Sequence, residues 1–138
     1  MKFEEIRKKV ELLCLPFGKY VLIGSTPMAA YGIREAKDID LVVLPELYEK
    51  LKTDGWKEEL QESGRKVLTK NGIEAGTDWN CKSYHPSVSR LIVSADVIDG
   101  IPVTKLEEVL AWKKACGREK DLKDVKLIED KLARQSPA

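Results

Sequence analysis

Two aspartates stand one residue apart in the run Asp38-Ile39-Asp40-Leu41-Val42-Val43. The rest of that run is β-branched or apolar and reads as a strand, in which residues i and i+2 share a face. Asp38 and Asp40 therefore point one way, and Ile39, Leu41 and Val43 point the other way into a core. Two carboxylates that close repel each other, and without a partner one of them tends to stay protonated. A divalent cation relieves the repulsion, and an all-oxygen donor set suits Mg²⁺ or Mn²⁺. Upstream, Tyr20-Val21-Leu22-Ile23 is a second apolar strand that stops at Gly24-Ser25. Gly24 has no Cβ, so backbone N–H groups can approach an anion there, and Ser25 adds a hydroxyl donor. Thr26 as N-cap and Pro27 in the first turn predict a short helix over Pro27 to Tyr31, ended by Gly32, with its positive end at the same place. Taken singly, each feature has an ordinary explanation: a solvated strand edge for the acids, a plain turn for Gly-Ser.

Their order and spacing say more. Gly24-Ser25, twelve intervening residues that include Arg34, then Asp38-Ile39-Asp40 in an apolar strand resembles the signature of the DNA polymerase β-like nucleotidyltransferase superfamily. The resemblance implies an α+β nucleotidyltransferase fold, a small mixed β-sheet with helices packed on it. It also implies an Mg²⁺-dependent (or Mn²⁺-dependent) transfer of an NMP group from an NTP to a hydroxyl acceptor (protein, RNA or small molecule), with release of pyrophosphate. In that chemistry Gly24 and Ser25 cradle the triphosphate, Asp38 and Asp40 hold metal, and a third carboxylate from a later strand completes the metal site and serves as base.

The third acid has two candidates. Lys66 to Lys70, Asn71-Gly72 and Ile73 to Ala75 predict a hairpin with a two-residue type I′ turn, which sets Lys70 opposite Ile73 and Thr69 opposite Glu74. Glu74, Gly76 and Asp78 share a face if the strand runs on without a bulge. Asp78 would lie roughly 13 Å beyond Glu74 at the rise of a strand, so only one of them can serve the same ion. Glu74 ranks first because the turn pins its register; Asp78 adjoins Trp79, where the strand is expected to end.

Further along, Lys113 followed by Gly117-Arg118-Glu119-Lys120-Asp121-Leu122-Lys123-Asp124, together with Ile98 to Val103 and Leu106-Glu107, resembles the end of small bacterial nucleotidyltransferases. These include toxins of type IV toxin–antitoxin pairs, so an antitoxin-like partner protein is implied as well. By that resemblance Lys113 reaches the phosphates and Arg34 is the basic residue preceding the D-x-D. Arg118, Lys120, Asp121 and Asp124 read more simply as helix-start acids and ion pairs between adjacent helices. The other reading of the whole chain is a non-catalytic protein of this fold that binds a nucleotide or a partner protein as a regulator.

The elements around these residues follow from hydrophobic periodicity. With 138 residues the chain suits one domain, placed at 1–133, with 134–138 as a frayed tail. A formal net charge of +1 gives no case for a strongly basic nucleic-acid binder. No apolar run approaches the length of a membrane span and the N-terminus is too charged for a signal peptide, so no membrane partner is expected. Cys14, Cys81 and Cys116 are odd in number and lack metal-ligand spacing, which points to reduced, buried thiols in a cytoplasmic protein. His85 stands alone and reads as structural or solvated. Helices are predicted over Lys2 to Leu15, Glu46 to Asp54 and Leu122 to Ala133, the last burying Leu122, Val125, Ile128 and Leu132. Another is expected from a Thr104 cap, with Glu107 completing a capping box, to Cys116-Gly117. Trp56 to Gly64 has no clear periodicity beyond Trp56 and Leu60 as anchors. Leu91 to Val97 favours a strand or a buried helix edge, and Asp99-Gly100 turns the chain into the extended Ile101 to Val103.

Overall fold

The computed structural model describes residues 1–135. The alternating apolar runs become seven strands in one mixed sheet, ordered β3-β4-β5-β2-β1-β7-β6. In chain order these are β1 (Tyr20–Ile23), β2 (Ile39–Val43), β3 (Lys57–Leu60), β4 (Lys66–Lys70), β5 (Ile73–Gly76), β6 (Asp96–Ile98) and β7 (Ile101–Val103). The six helices are α1 (Phe3–Leu12), α2 (Thr26–Ala30), α3 (Pro45–Thr53), α4 (Val88–Val93), α5 (Leu106–Cys116) and α6 (Glu119–Gln135). The class is α+β. Pairing is antiparallel except β1 with β7 and β2 with β5. No helix among the described residues is long and apolar enough to cross a membrane.

The period-two alternation of β1 and β2 feeds two cores. Tyr20 and Leu22 of β1 with Ile39, Leu41 and Val43 of β2 pack against Ile6 and Val10 of α1 and Leu47 and Leu51 of α3. Val21, Ile23 and Val42 face the other way, against Val109 of α5, Ile128 of α6 and Leu91 of α4. Asp40 shares that second face with Val42, and Glu74 lies opposite in register between Ile73 and Ala75 of the first core.

The β4–β5 hairpin has the predicted register, Lys70 opposite Ile73 and Thr69 opposite Glu74. Asn71 and Gly72 both have positive φ, 50° and 79°, as a type I′ turn requires. Asp99 and Gly100 repeat the device between β6 and β7.

Several local expectations are overturned or met only in part. Thr26 does not cap α2; Ser25 holds the cap position, and the buried Thr26 hydroxyl donates to the Asp38 carbonyl (3.1 Å) and accepts from the Asp40 amide (3.0 Å). Thr104 likewise sends its hydroxyl to the Leu22 carbonyl (2.7 Å) instead of closing a capping box, and Lys105 takes the N-cap of α5. Both hydroxyls bond strand backbone; at Leu22 the carbonyl accepts the Thr104 amide as well. Trp56 is buried, but Leu60 is 70% exposed at the end of the edge strand β3. Of the two readings of Leu91 to Val97, the buried helix edge holds for Leu91, in α4, and the strand begins only at Asp96. On α6, Val125 and Ile128 are buried and Leu132 packs on the core as predicted, but Leu122 is 57% exposed and Asp121 and Asp124 are turned inward in its place. The same helix continues through Arg134 and Gln135, where the sequence predicts a tail; the rest of that predicted tail, 136–138, lies outside the described residues.

The cysteines also differ from expectation. Cys81 and Cys116 form a disulfide, 35 residues apart in sequence, because the loop after β5 passes the C-terminal end of α5. Cys14 is free and exposed.

Candidate functional site

The segment from β1 to β2 makes the floor of a cleft of about 730 Å³. Gly24, Ser25, Arg34, Asp38, Asp40, Glu74 and Lys113 all line it. The chain reverses at Gly24 with φ +70°, a left-handed conformation that favours glycine. The space a Cβ would fill at Gly24 is bounded by Asp40: it would stand 3.0 Å from Asp40 Oδ2. Gly24 thus makes room for the carboxylate as well as for anything that lies above it. Helix α2 is only a five-residue turn, so its dipole adds less to this corner than a full helix would.

Asp38 is exposed just before β2, and Asp40 is half-buried one residue into it. The parallel pairing of β2 with β5 sets Asp40 beside Glu74. Burial pushes the Asp40 carboxyl up to about 6, and the neighbouring charges of Glu74 and Asp38 add to the rise while Arg65 opposes it. The crowding anticipated for the D-x-D therefore involves an acid from another strand as well.

Glu74 is already engaged. It accepts a hydrogen bond from Gln61 Nε2 (2.9 Å) and lies 4.0 Å from Arg65. Asp78 does not join it. β5 ends at Gly76, so the strand alternation never reaches residue 78, and Arg65 stands between the two acids, 3.4 Å from Asp78. Gly76 makes that crossing possible, because a Cβ there would collide with the Arg65 guanidinium. Asp78 lines a separate groove with Tyr48, Lys52 and Glu58.

The opposite wall is built by α5 and α6. Lys113 is the largest fully buried side chain, 2% exposed, and its ammonium donates to Ser25 Oγ (3.0 Å) and pairs with Asp124 (2.9 Å). Asp121 sits 3.9 Å from the same ammonium and is also held by Arg118 at 2.6 Å. Arg34 clasps Asp124 in a bidentate pair at 2.9 and 2.8 Å. Burial works to raise the Asp124 carboxyl, but hydrogen bonds from Arg34 and Lys113 outweigh it and hold the group below the usual carboxylate range. Asp121 accepts from the Arg118 amide at the start of α6, and both acids pair with Lys113 of α5, as the reading of helix-start acids and ion pairs between adjacent helices expects; Asp124 also holds Arg34, so the pairs anchor the two basic residues assigned to the cleft.

Gln61, Arg65, Trp79 and Trp112 also line the cleft without having been singled out from sequence. The two acids of α6 did carry a signal: at i and i+3 they share the stripe of Val125 and Ile128, an unusual place for charge on an amphipathic helix. Trp79 and Trp112 stack with centroids 5.1 Å apart and planes 11° from parallel, a contact between distant segments that no local pattern foretells.

Among the described residues no three His, Cys, Asp or Glu side chains are gathered as a ready ligand set. The acids in the cleft nonetheless fit a hard cation by chemistry: their donors are all oxygen, and Asp40, raised to about 6 by burial and then by its neighbouring acids, gains from a cation placed beside it. His85 stays outside the cleft, its ring nitrogen 2.7 Å from the Lys82 carbonyl. Comparison of the chain with protein-family models, curated proteins and solved structures returns no match.

Proposed function

We propose that the cleft is the active site of a nucleotidyltransferase of the polymerase β-like kind, which moves an NMP group from an NTP to a hydroxyl acceptor. The observation that carries this reading is the parallel register of Asp40 with Glu74, which supplies a third acid beside the D-x-D at the foot of the Gly24-Ser25 turn. Asp38, Asp40 and Glu74 would hold Mg²⁺, with Glu74 leaving Gln61 to do so. The ion, when bound, supplies charge neutralisation for the acids and for the departing pyrophosphate. Ser25 and the Lys113 ammonium bind phosphate oxygens from the opposite wall, and Gly24 keeps the approach open. Asp124 and Arg34 hold Lys113 at that height. Glu74 takes the proton of the acceptor hydroxyl as it attacks the α-phosphorus.

The test is incubation with each α-labelled NTP, Mg²⁺ or Mn²⁺, and cell extract as a source of acceptors. Label should pass to an acceptor in the wild type and be reduced by about 10²-fold or more in Asp40→Asn, by analogy with removal of one electrostatic stabiliser. Transfer that persists in a folded Asp40→Asn protein defeats the reading.

One observation favours a second reading, a nucleotide-binding regulator without turnover: Glu74 and Lys113 are both already bonded within the chain. That protein would show an NTP-dependent rise in melting temperature with no labelled product.

A further inference from the structure

We propose that Trp112, backed by Trp79, is the platform on which the aromatic base of the bound nucleoside triphosphate stacks. This rests on the nucleotide reading of the cleft and assigns the part of it that the phosphate-binding side chains leave open. Trp112 immediately precedes Lys113, whose ammonium meets Ser25, so phosphate-facing and aromatic groups leave α5 from consecutive residues into the same cleft. Trp79 is buried and fills the rear of the stack, whereas Trp112 is only partly buried. The Arg118 guanidinium, paired with Asp121, lies over the Trp112 ring 5.6 Å from its centre, too close to leave room for a base between them; its half-exposed side chain must swing aside as the base stacks and can then pack on the outer side of the base.

The platform is held from both sides. Cys81, two residues beyond Trp79, is bonded to Cys116, one helical turn beyond Trp112. One turn before Trp112, Glu108 accepts from the Tyr84 hydroxyl and pairs with Arg90 at 2.9 Å. The loop carrying Trp79 is therefore fastened to α5 above and below the stack, which lowers the ordering cost when a flat ligand docks. The Trp112 indole N–H is buried with no acceptor in the protein. A ring face accepts any base, and such a platform selects for the presence of a base over its identity.

The full chain with Mg²⁺ is titrated with ATP and, separately, with inorganic tripolyphosphate, which has the phosphates but no base. Calorimetry gives both affinities and tryptophan emission reports stacking; Trp56 belongs to the core on the opposite face of the sheet. ATP should bind roughly 5- to 150-fold more tightly than tripolyphosphate and quench the emission, and tripolyphosphate should not quench. In Trp112→Leu the ratio of the two affinities should fall toward one, and Trp112→Phe should retain part of it. Equal wild-type affinities without quenching, or a ratio unchanged in Trp112→Leu, overturn the platform while leaving the phosphate site standing. A wild type that binds neither ligand overturns the nucleotide reading and the platform with it. If Trp112→Leu does not fold, the wild-type quench and the Trp112→Phe ratio decide.

Discussion

The two faces of the central strands are made from alternate residues of the same short runs, yet they are built on different principles. On the face covered by α1 and α3, Leu22, Ile39, Leu41 and Val43 pack in one cluster of apolar and aromatic side chains. On the face covered by α5 and α6, the apolar packing of Val21, Val42 and Ile128 gives way at the strand ends to Asp40 and Glu74, with Lys113, Asp121 and Asp124 buried across from them. Charge buried on only one face of a sheet is costly unless it is paired and hydrogen-bonded, and each of the helical charges is. Of the two strand acids, Glu74 is bonded to Gln61 and Asp40 is the exception. Asp40 is relieved by nothing but a distant share of Arg65, and its carboxyl sits well above its ordinary value in consequence. One face thus carries stability and the other stores an electrostatic imbalance that a cationic ligand would discharge.

Four experiments sharpen or break this contrast. Leu41→Ala, on the apolar face, should lower unfolding free energy in urea by about 3–5 kcal/mol, while ligand affinities at the cleft stay unchanged in the folded fraction. An altered ATP affinity would mean that the faces are not separable. Lys113→Met, on the charged face, should cost about 3–4 kcal/mol, because two buried acids lose their shared cation while keeping Arg34 and Arg118. Adding Asp124→Leu to it should recover much of the stability and none of the phosphate binding, since an apolar pair can replace a buried ionic one in packing only. Opening the Cys81–Cys116 bond with a dithiol reductant frees a 35-residue separation in the unfolded chain and should cost about 2–4 kcal/mol by denaturant titration. No change in the transition midpoint would show the bond to be absent in solution.

The smallest effect concerns pH. Asp40 is raised in the folded protein to about 6 from 3.8, so the folded state holds its proton more tightly and the stabilising protonated form is present at low pH. Stability of the metal-free protein should therefore fall as pH rises from about 4 to 6 and then level. Asp40→Asn should abolish that fall, leaving the variant more stable at pH 7 by on the order of 1–2 kcal/mol once water on the cleft side is allowed for. Asp124 runs the opposite way: its carboxyl is depressed, so its contribution is present above the ordinary carboxylate range and is lost on acidification below it. Mg²⁺ should raise the melting temperature more at pH 7 than at pH 5, because the carboxylate that it needs is ionised only above about 6. A flat wild-type profile between pH 4 and 6 would remove the strand imbalance on which the contrast rests.

What the sequence by itself determined is what short-range geometry controls. The period of two set Asp40 away from Ile39, Leu41 and Val43, and Asn71-Gly72 set the register that pairs Thr69 with Glu74, because a two-residue turn leaves the strands no other alignment. The 3.6-residue repeat located α1, α3, α5 and α6 within a few residues. The tertiary structure decided where distant segments meet. That β2 would lie parallel to β5, so that Glu74 and not Asp78 stands beside Asp40, depends on which sheet edges find each other, and no local pattern encodes it. The inward turn of Asp121 and Asp124 depended on Lys113, Arg34 and Arg118 being there to satisfy them. Thr26 and Thr104 were equally fitted to cap helices. They bond strand backbone instead, because a hydroxyl buried between elements must itself be satisfied by the amide or carbonyl that folding brings within reach.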